Sequence, residues 1–387
     1  MKNFFSLFAV LTGFFVMGFC DIVGISAEYA REAFSWSHTT AGFVPSMVFV
    51  WFLFLGVPIG IKMNRWGRKR TVMLSMAVTI VGMMIPLLRS SWACVAGYAL
   101  LGIGNAILQV SLNPLVSNVV TNERLLTSSL TAGQVVKAVS SFCGPLLMLF
   151  AVNRLGGGDA EQWYLVFPLM GAITLVSALL LAVSPIEREP LGDSGVTVGE
   201  TFSLLRQPVV LMCFFGIFFA VAIDVGTNFI SSKLLVSRFS WDVRQAGVAP
   251  QVYFVCRTVG AFLGMFLMAR VNEVRYFRLN IVVCIVALLL LAFVPMGATP
   301  TLALVGAVGF LCSCIFPVVY SVALRSEPDK ANLISGLMIT AVAGGGAATP
   351  LIGFATDAFG TMSAGVCVLL VCAAYLTFCA FCSDVEA

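Results

Sequence analysis

Charge is what this chain lacks. Only 10% of its 387 residues are Asp, Glu, Lys or Arg, against about 25% in an ordinary soluble domain, so the chain cannot coat a water-facing surface of its size. Histidine is nearly absent, with His38 alone, which excludes metal sites built on several imidazoles and most imidazole acid–base chemistry. The basic excess is small, a net charge of +4, and lies scattered between apolar runs, so no nucleic-acid-binding face is implied. No polar stretch is long enough for a separate domain. Cysteine is plentiful at 12 residues, but these are spread through apolar stretches. Cys379 and Cys382 form a lone C-x-x-C with no second pair, too little for a metal site. What the chain does have is apolar length: 60% hydrophobic residues, Phe 32 and Gly 35, and a mean hydropathy of +1.01. This is a polytopic membrane protein, not an enzyme, and no cofactor is expected.

A membrane-crossing helix needs about 20 mostly apolar residues. Twelve such runs occur, near 4–27, 40–62, 70–88, 92–120, 125–152, 163–184, 207–234, 245–270, 276–296, 299–324, 331–356 and 361–382. They are continuously apolar without two-residue alternation, which predicts helices and not a barrel. The polar interruption at 185–206 divides the chain into a six-span set at 1–184 and another at 207–387. The first run is too long for a cleaved signal, holds Asp21, and is followed by no small-residue cleavage site. With the N-terminus inside, the inner loops collect 14 Lys and Arg and the outer loops 6, as counted along the sequence. The positive-inside rule then places both termini in the cytoplasm.

The two sets repeat. Asp21 in span 1 and Asp224 in span 7 are 203 residues apart, as are Pro114 in span 4 and Pro317 in span 10. Pro145 and Pro350 are 205 apart. Such duplication is common in transporters. It predicts an all-α protein of two pseudo-symmetric six-helix bundles.

The loop after span 2, Gly60-Ile61-Lys62-Met63-Asn64-Arg65-Trp66-Gly67-Arg68-Lys69, resembles the G-x-x-x-D-[RK]-x-G-R-[RK] signature of the major facilitator superfamily. That resemblance implies a twelve-helix transporter working by alternating access, with Asn64, Arg65, Gly67 and Arg68 as gating residues. Asn64 stands where the family usually has aspartate. Span 4 carries Gly102-Ile103-Gly104-Asn105, then Gln109 and Asn113-Pro114. Span 5 carries Gln134, Lys137 and Gly144-Pro145; Arg257-Thr258-Val259-Gly260, Phe316-Pro317 and Gly344-Gly345…Pro350 follow. Together these resemble the fucose–proton symporter family. The implied cargo is a sugar and the implied coupling ion a proton, with sodium as the alternative ion and a facilitator without ion coupling as the alternative mechanism. A monomer in contact with lipid is expected, with no partner beyond the cargo.

Charges inside spans are costly, about 2.5–3.5 kcal/mol each, and are functional candidates by default. There are four: Asp21, Lys137, Asp224 and Arg257. Asp21 is the candidate proton-linked group. Asn105, Gln109 and Asn113 recur every four residues, one polar stripe on span 4, and amides can both donate to and accept from sugar hydroxyls. Gln134 and Lys137 share a face of span 5; Asp224 and Asn228 share one on span 7. These seven residues are the expected cargo contacts, with Arg257 a gating residue favoured for helix packing. By the resemblance, the family's proton-exchanging acid falls at Gln109 and an asparagine at Lys137, a shift of two charge units toward positive. Lys137 then either neutralises Asp21 beside a neutral sugar or attracts an anionic cargo, a uronate, sialate or other organic acid.

Overall fold

The computed structural model describes residues 2–21, 26, 29–30, 33–36, 38–120, 122–158, 160–189, 195–241, 243–246 and 248–382. Among them are ten helices long and apolar enough to cross a membrane. The shorter apolar Phe4–Gly18 and the 29-residue helix His38–Trp66 fall at the first two expected spans, so the pattern is consistent with twelve. No strand occurs among the described residues.

Spans 1, 10 and 11 depart from simple rods at residues the motifs single out. Span 1 is an α-helix over Lys2–Gly18 and tightens into a 3-10 turn at Phe19–Asp21. Span 10 is two helices, Ala298–Cys312 and Ile315–Ser326. The break lets Pro317 sit in the first turn of the second piece, where its missing N–H and fixed φ are tolerated. Span 11 is likewise split into Ala331–Ala341 and Gly344–Phe359. The second piece begins on three glycines, and a Cβ on Gly345 would lie 2.9 Å from side-chain atoms of Val221 and Val225 in span 7. Such close approach is the usual role of small residues between membrane helices.

By packing, the chain forms two compact units. One holds 1–122, 133–203 and 328–340; the other holds 123–132, 204–327 and 341–387. Two short segments thus join the unit of the opposite chain half. They begin at Glu123 and Pro328, 205 positions apart, the offset that also separates Pro145 from Pro350.

In the first unit Ser91–Val119 is the central helix, packed on Lys2–Gly18, His38–Trp66 and Arg68–Met84. Gly56 and Gly60 of span 2 let Ala331–Ala341 approach to backbone contact: a Cβ at Gly60 would lie 2.7 Å from the Asn332 carbonyl oxygen, and one at Gly336 2.6 Å from that of Gly56. In the second unit Pro208–Phe239 is central, packed on Val248–Met268, Gly344–Phe359 and Met362–Cys382. In the loop between the halves, Thr197 and Glu200 form a reciprocal capping box at the start of the helix Val198–Ser203: the Thr197 amide donates to Glu200 Oε2 at 2.6 Å, and the Glu200 amide to Thr197 Oγ1 at 3.2 Å.

Candidate functional site

The polar residues of the first unit gather within about three helical turns along the bundle. Two crossings set the register. A Cβ at Gly13 would touch Leu112 of span 4 at 2.9 Å, and one at Gly18 would meet Ser140 of span 5 at 2.7 Å and collide with the Lys137 carbonyl oxygen. Counting from those crossings at about 1.5 Å per residue, Asn105, Gln109, Gln134 and Lys137 lie within a slab about 10 Å thick, with Asn113 one turn away. Asn105, Gln109 and Asn113 are buried, at 7%, 8% and 1% exposure. The Asn113 amide nitrogen donates to the Gln109 carbonyl at 2.9 Å. The side-chain oxygens of Asn105 and Asn113 are buried with no hydrogen-bond partner.

Gln134 and Lys137 are partly buried. The Lys137 carbonyl accepts from Ser141 Oγ at 3.0 Å, but among the described residues its ammonium has neither an ion-pair partner nor a hydrogen bond. Asp21 ends the 3-10 turn, which packs on span 4. Its side chain lies outside the described part of the structure, so the expectation of an Asp21–Lys137 pair is left where the sequence put it.

In the second unit Asp224 spends both oxygens. Arg257 Nη2 lies 2.9 Å from Oδ2, and the Tyr253 hydroxyl donates to Oδ1 at 2.6 Å. Tyr253 and Arg257 are one turn apart on span 8, so a single face of that helix presents both donors. The thiol of Cys312, on span 10, lies 3.5 Å from that of Cys284. Asn228 follows Asp224 by one turn, is partly buried, and accepts at its carbonyl from Ser231 Oγ at 2.8 Å.

The loop motif builds a hydrogen-bonded cluster around Arg68, which is buried at 8% exposure. Gly67 turns the chain at φ 82, a left-handed conformation that suits glycine, and caps the helix Arg68–Met84 without a side chain. Glu189, from the loop after span 6, supplies the missing cap: its Oε1 accepts from the Arg68 amide, and its Oε2 accepts from Asn118 Nδ2 at 2.8 Å. A carboxylate at a helix N-terminus is also favoured by the helix dipole. The Arg68 guanidinium then ties span 3 to spans 4 and 11. Nε donates to Asn332 Oδ1 at 2.7 Å, while Nη1 donates to the Pro114 carbonyl at 3.1 Å, Ser117 Oγ at 2.9 Å and Asn118 Oδ1 at 2.5 Å.

Asn64 joins through Asn332, whose amide nitrogen donates to its Oδ1 at 2.9 Å; the amide replaces the usual aspartate and keeps a hydrogen bond. Arg65 is exposed, and its carbonyl accepts from Arg188 at 3.4 Å. Ser335 completes the set. Pro114 has no N–H, so the Val110 carbonyl loses its helical donor, and Ser335 Oγ donates to it at 2.6 Å. Asn118, Glu189, Asn332 and Ser335 were not among the residues expected from sequence. Their signal was weak: isolated polar residues at or beyond the ends of apolar runs, with partners 50 to 264 residues away.

Comparison with known proteins agrees with this architecture. The Major Facilitator Superfamily profile matches residues 6–350. A glucose/galactose transporter of Brucella abortus biovar 1 (strain 9-941) is 23% identical over 396 residues, covering 97% of this chain and 94% of its own. A putative glucose/galactose transporter of Helicobacter pylori (strain 26695) is 24% identical over 378 residues, covering 92% and 90%. In fold, the crystal structure of the E. coli fucose:proton symporter superposes with a TM-score of 0.85 at 17% identity over 98% of this chain and 99% of its own. With its doubled six-span pattern, its loop motif folded around Arg68 and a profile match along most of its length, the chain belongs to the major facilitator superfamily.

Proposed function

We propose that the protein carries a sugar across the bacterial cytoplasmic membrane by alternating access, driven by proton symport. The observation that carries this is the polar slab of the first unit. It holds amides from spans 4 and 5, and the oxygens of Asn105 and Asn113 are buried without partners. Buried acceptors left unpaired cost about 1–3 kcal/mol each, a cost that sugar hydroxyls can offset by donating to them. Relatives named as glucose/galactose transporters align over nearly the whole chain, which supports a sugar as cargo. Asn105, Gln109, Asn113 and Gln134 contact the cargo in this mechanism. Asp224 and Asn228, one turn apart on span 7, are the remaining candidate contacts of the same reading.

Asp21 is the proton-linked group. Glutamine cannot titrate, so Gln109 carries no proton, and Asp224 is held by Arg257 and Tyr253. The cluster around Arg68 lies at the cytoplasmic end by the positive-inside rule, and opening toward the cytoplasm requires Asn332 and Ser335 to leave it. The test is sugar uptake in proteoliposomes. Asp21→Asn abolishes accumulation driven by an imposed pH gradient and retains counterflow exchange. Unchanged accumulation in Asp21→Asn removes it from the coupling path.

A further inference from the structure

The two intramembrane bases differ in their partners. Arg257 is paired with Asp224, whose second oxygen is taken by Tyr253. Among the described residues no carboxylate lies within ion-pair distance of Lys137, and its ammonium makes no hydrogen bond. Lys137 is partly buried in the middle of a membrane-crossing helix. A lysine at that depth costs about 2.5–3.5 kcal/mol on insertion, and such residues normally pair or line a wet path.

Along the bundle axis Gln109 lies near the level of Lys137, with Asn105 and Asn113 about one helical turn to either side of Gln109. Asn105 and Asn113 contribute buried oxygens that accept and have no partner, whereas an ammonium has three donors and no acceptor. A ligand that satisfies both needs hydroxyl donors for the amide oxygens and a negative charge for the lysine. A neutral sugar supplies the first and not the second; a simple carboxylic acid supplies the second and not the first.

We infer that the cargo is a sugar acid, a polyhydroxy monocarboxylate of the hexuronate kind, held with its carboxylate against Lys137 and its hydroxyls against the span 4 amides. This rests on the transport function proposed above and narrows its substrate class. Symport of one such anion with one proton moves no net charge, so the lysine and a protonated Asp21 together would make the cycle electroneutral.

The test uses the purified full-length protein and two matched pairs, D-galactose with D-galacturonate and D-glucose with D-glucuronate. Ligand binding raises the unfolding temperature, and the half-effect concentration of each compound is read for wild type, Lys137→Gln and Lys137→Arg. The expected result is that a uronate stabilises wild type at a concentration about tenfold or more below its hexose, a difference of one decade in affinity. Lys137→Gln loses that preference and Lys137→Arg keeps it. A hexose that stabilises wild type as well as or better than its uronate overturns the inference, as does a uronate preference that survives in Lys137→Gln. If Lys137→Gln does not purify as a single species, the wild-type comparison decides alone. Labelled galactose and galacturonate uptake by proteoliposomes separates the levels. Uptake of galactose and not galacturonate overturns the sugar acid and leaves sugar transport standing, whereas uptake and binding of neither class overturn both.

Discussion

Arg68 donates from its guanidinium to four acceptors on spans 4 and 11 while its own amide is capped by Glu189. Replacing it by alanine strands the buried Asn332 Oδ1, at about 1–3 kcal/mol, and removes a partner of the partly buried Asn118 Oδ1. Thermal unfolding in detergent should therefore show Arg68→Ala well below wild type. Arg68→Lys should recover little of the loss, because an ammonium cannot reproduce the planar fork. Asp224 and Arg257 call for a different measurement, since each is partly exposed and removing either leaves the other uncompensated. A double-mutant cycle with Asp224→Ala and Arg257→Ala should give a coupling of about 0.5–3 kcal/mol, with the double variant less destabilised than the sum of the singles. Additive losses would mean that the pair contributes no mutual stabilisation.

At the scale of the element, the glycine contact between spans 2 and 11 makes a sharp prediction. Gly336 has no room for a Cβ, which would lie 2.6 Å from the Gly56 carbonyl oxygen. Gly336→Leu should therefore force Ala331–Ala341 away from span 2 and break the Asn64–Asn332 bond. A cysteine introduced at Ser335 should then react faster with a thiol reagent in a background stripped of native cysteines; an unchanged rate would show that the contact tolerates the side chain.

Helices and their rough limits could be read from apolar length, because a 30 Å hydrocarbon core imposes it. The breaks at 313–314 and 342–343 could not be fixed that way. Pro114 and Pro350 sit inside continuous helices, whereas the break before Pro317 follows the packing around it. Nor does an apolar run reveal which face meets protein, since lipid and protein interiors select the same side chains. The polar exceptions were legible for that reason: Asp224, Arg257 and the span 4 amides stood out, and the first two proved to be partners. Asn332 and Glu189 did not stand out, because their role depends on meeting Arg68 across 264 and 121 residues of chain.

For the whole molecule, the duplication extends from sequence to packing. The segments that exchange between units, 123–132 and 328–340, are repeat partners. Each is the first part of its helix, and each is tied by side chains: Thr127 Oγ1 to Ser321 Oγ at 2.6 Å and Ser128 Oγ to the Met265 carbonyl at 2.7 Å in one unit, Ser335 Oγ to the Val110 carbonyl in the other. Loosening one set, as in Thr127→Ala with Ser128→Ala, should speed amide hydrogen exchange in the segment 123–132 relative to the rest of its helix. Unchanged exchange would show that these bonds do not hold the segment in its unit.

The most direct measurement is accumulation by the purified protein in liposomes under an inward proton gradient, with labelled hexoses and hexuronates supplied in turn. The account predicts that one of them concentrates above its external level, that a protonophore collapses this, and that Asp21→Asn equilibrates cargo without concentrating it. Uptake indifferent to the gradient, or none of any sugar or sugar acid, would contradict it.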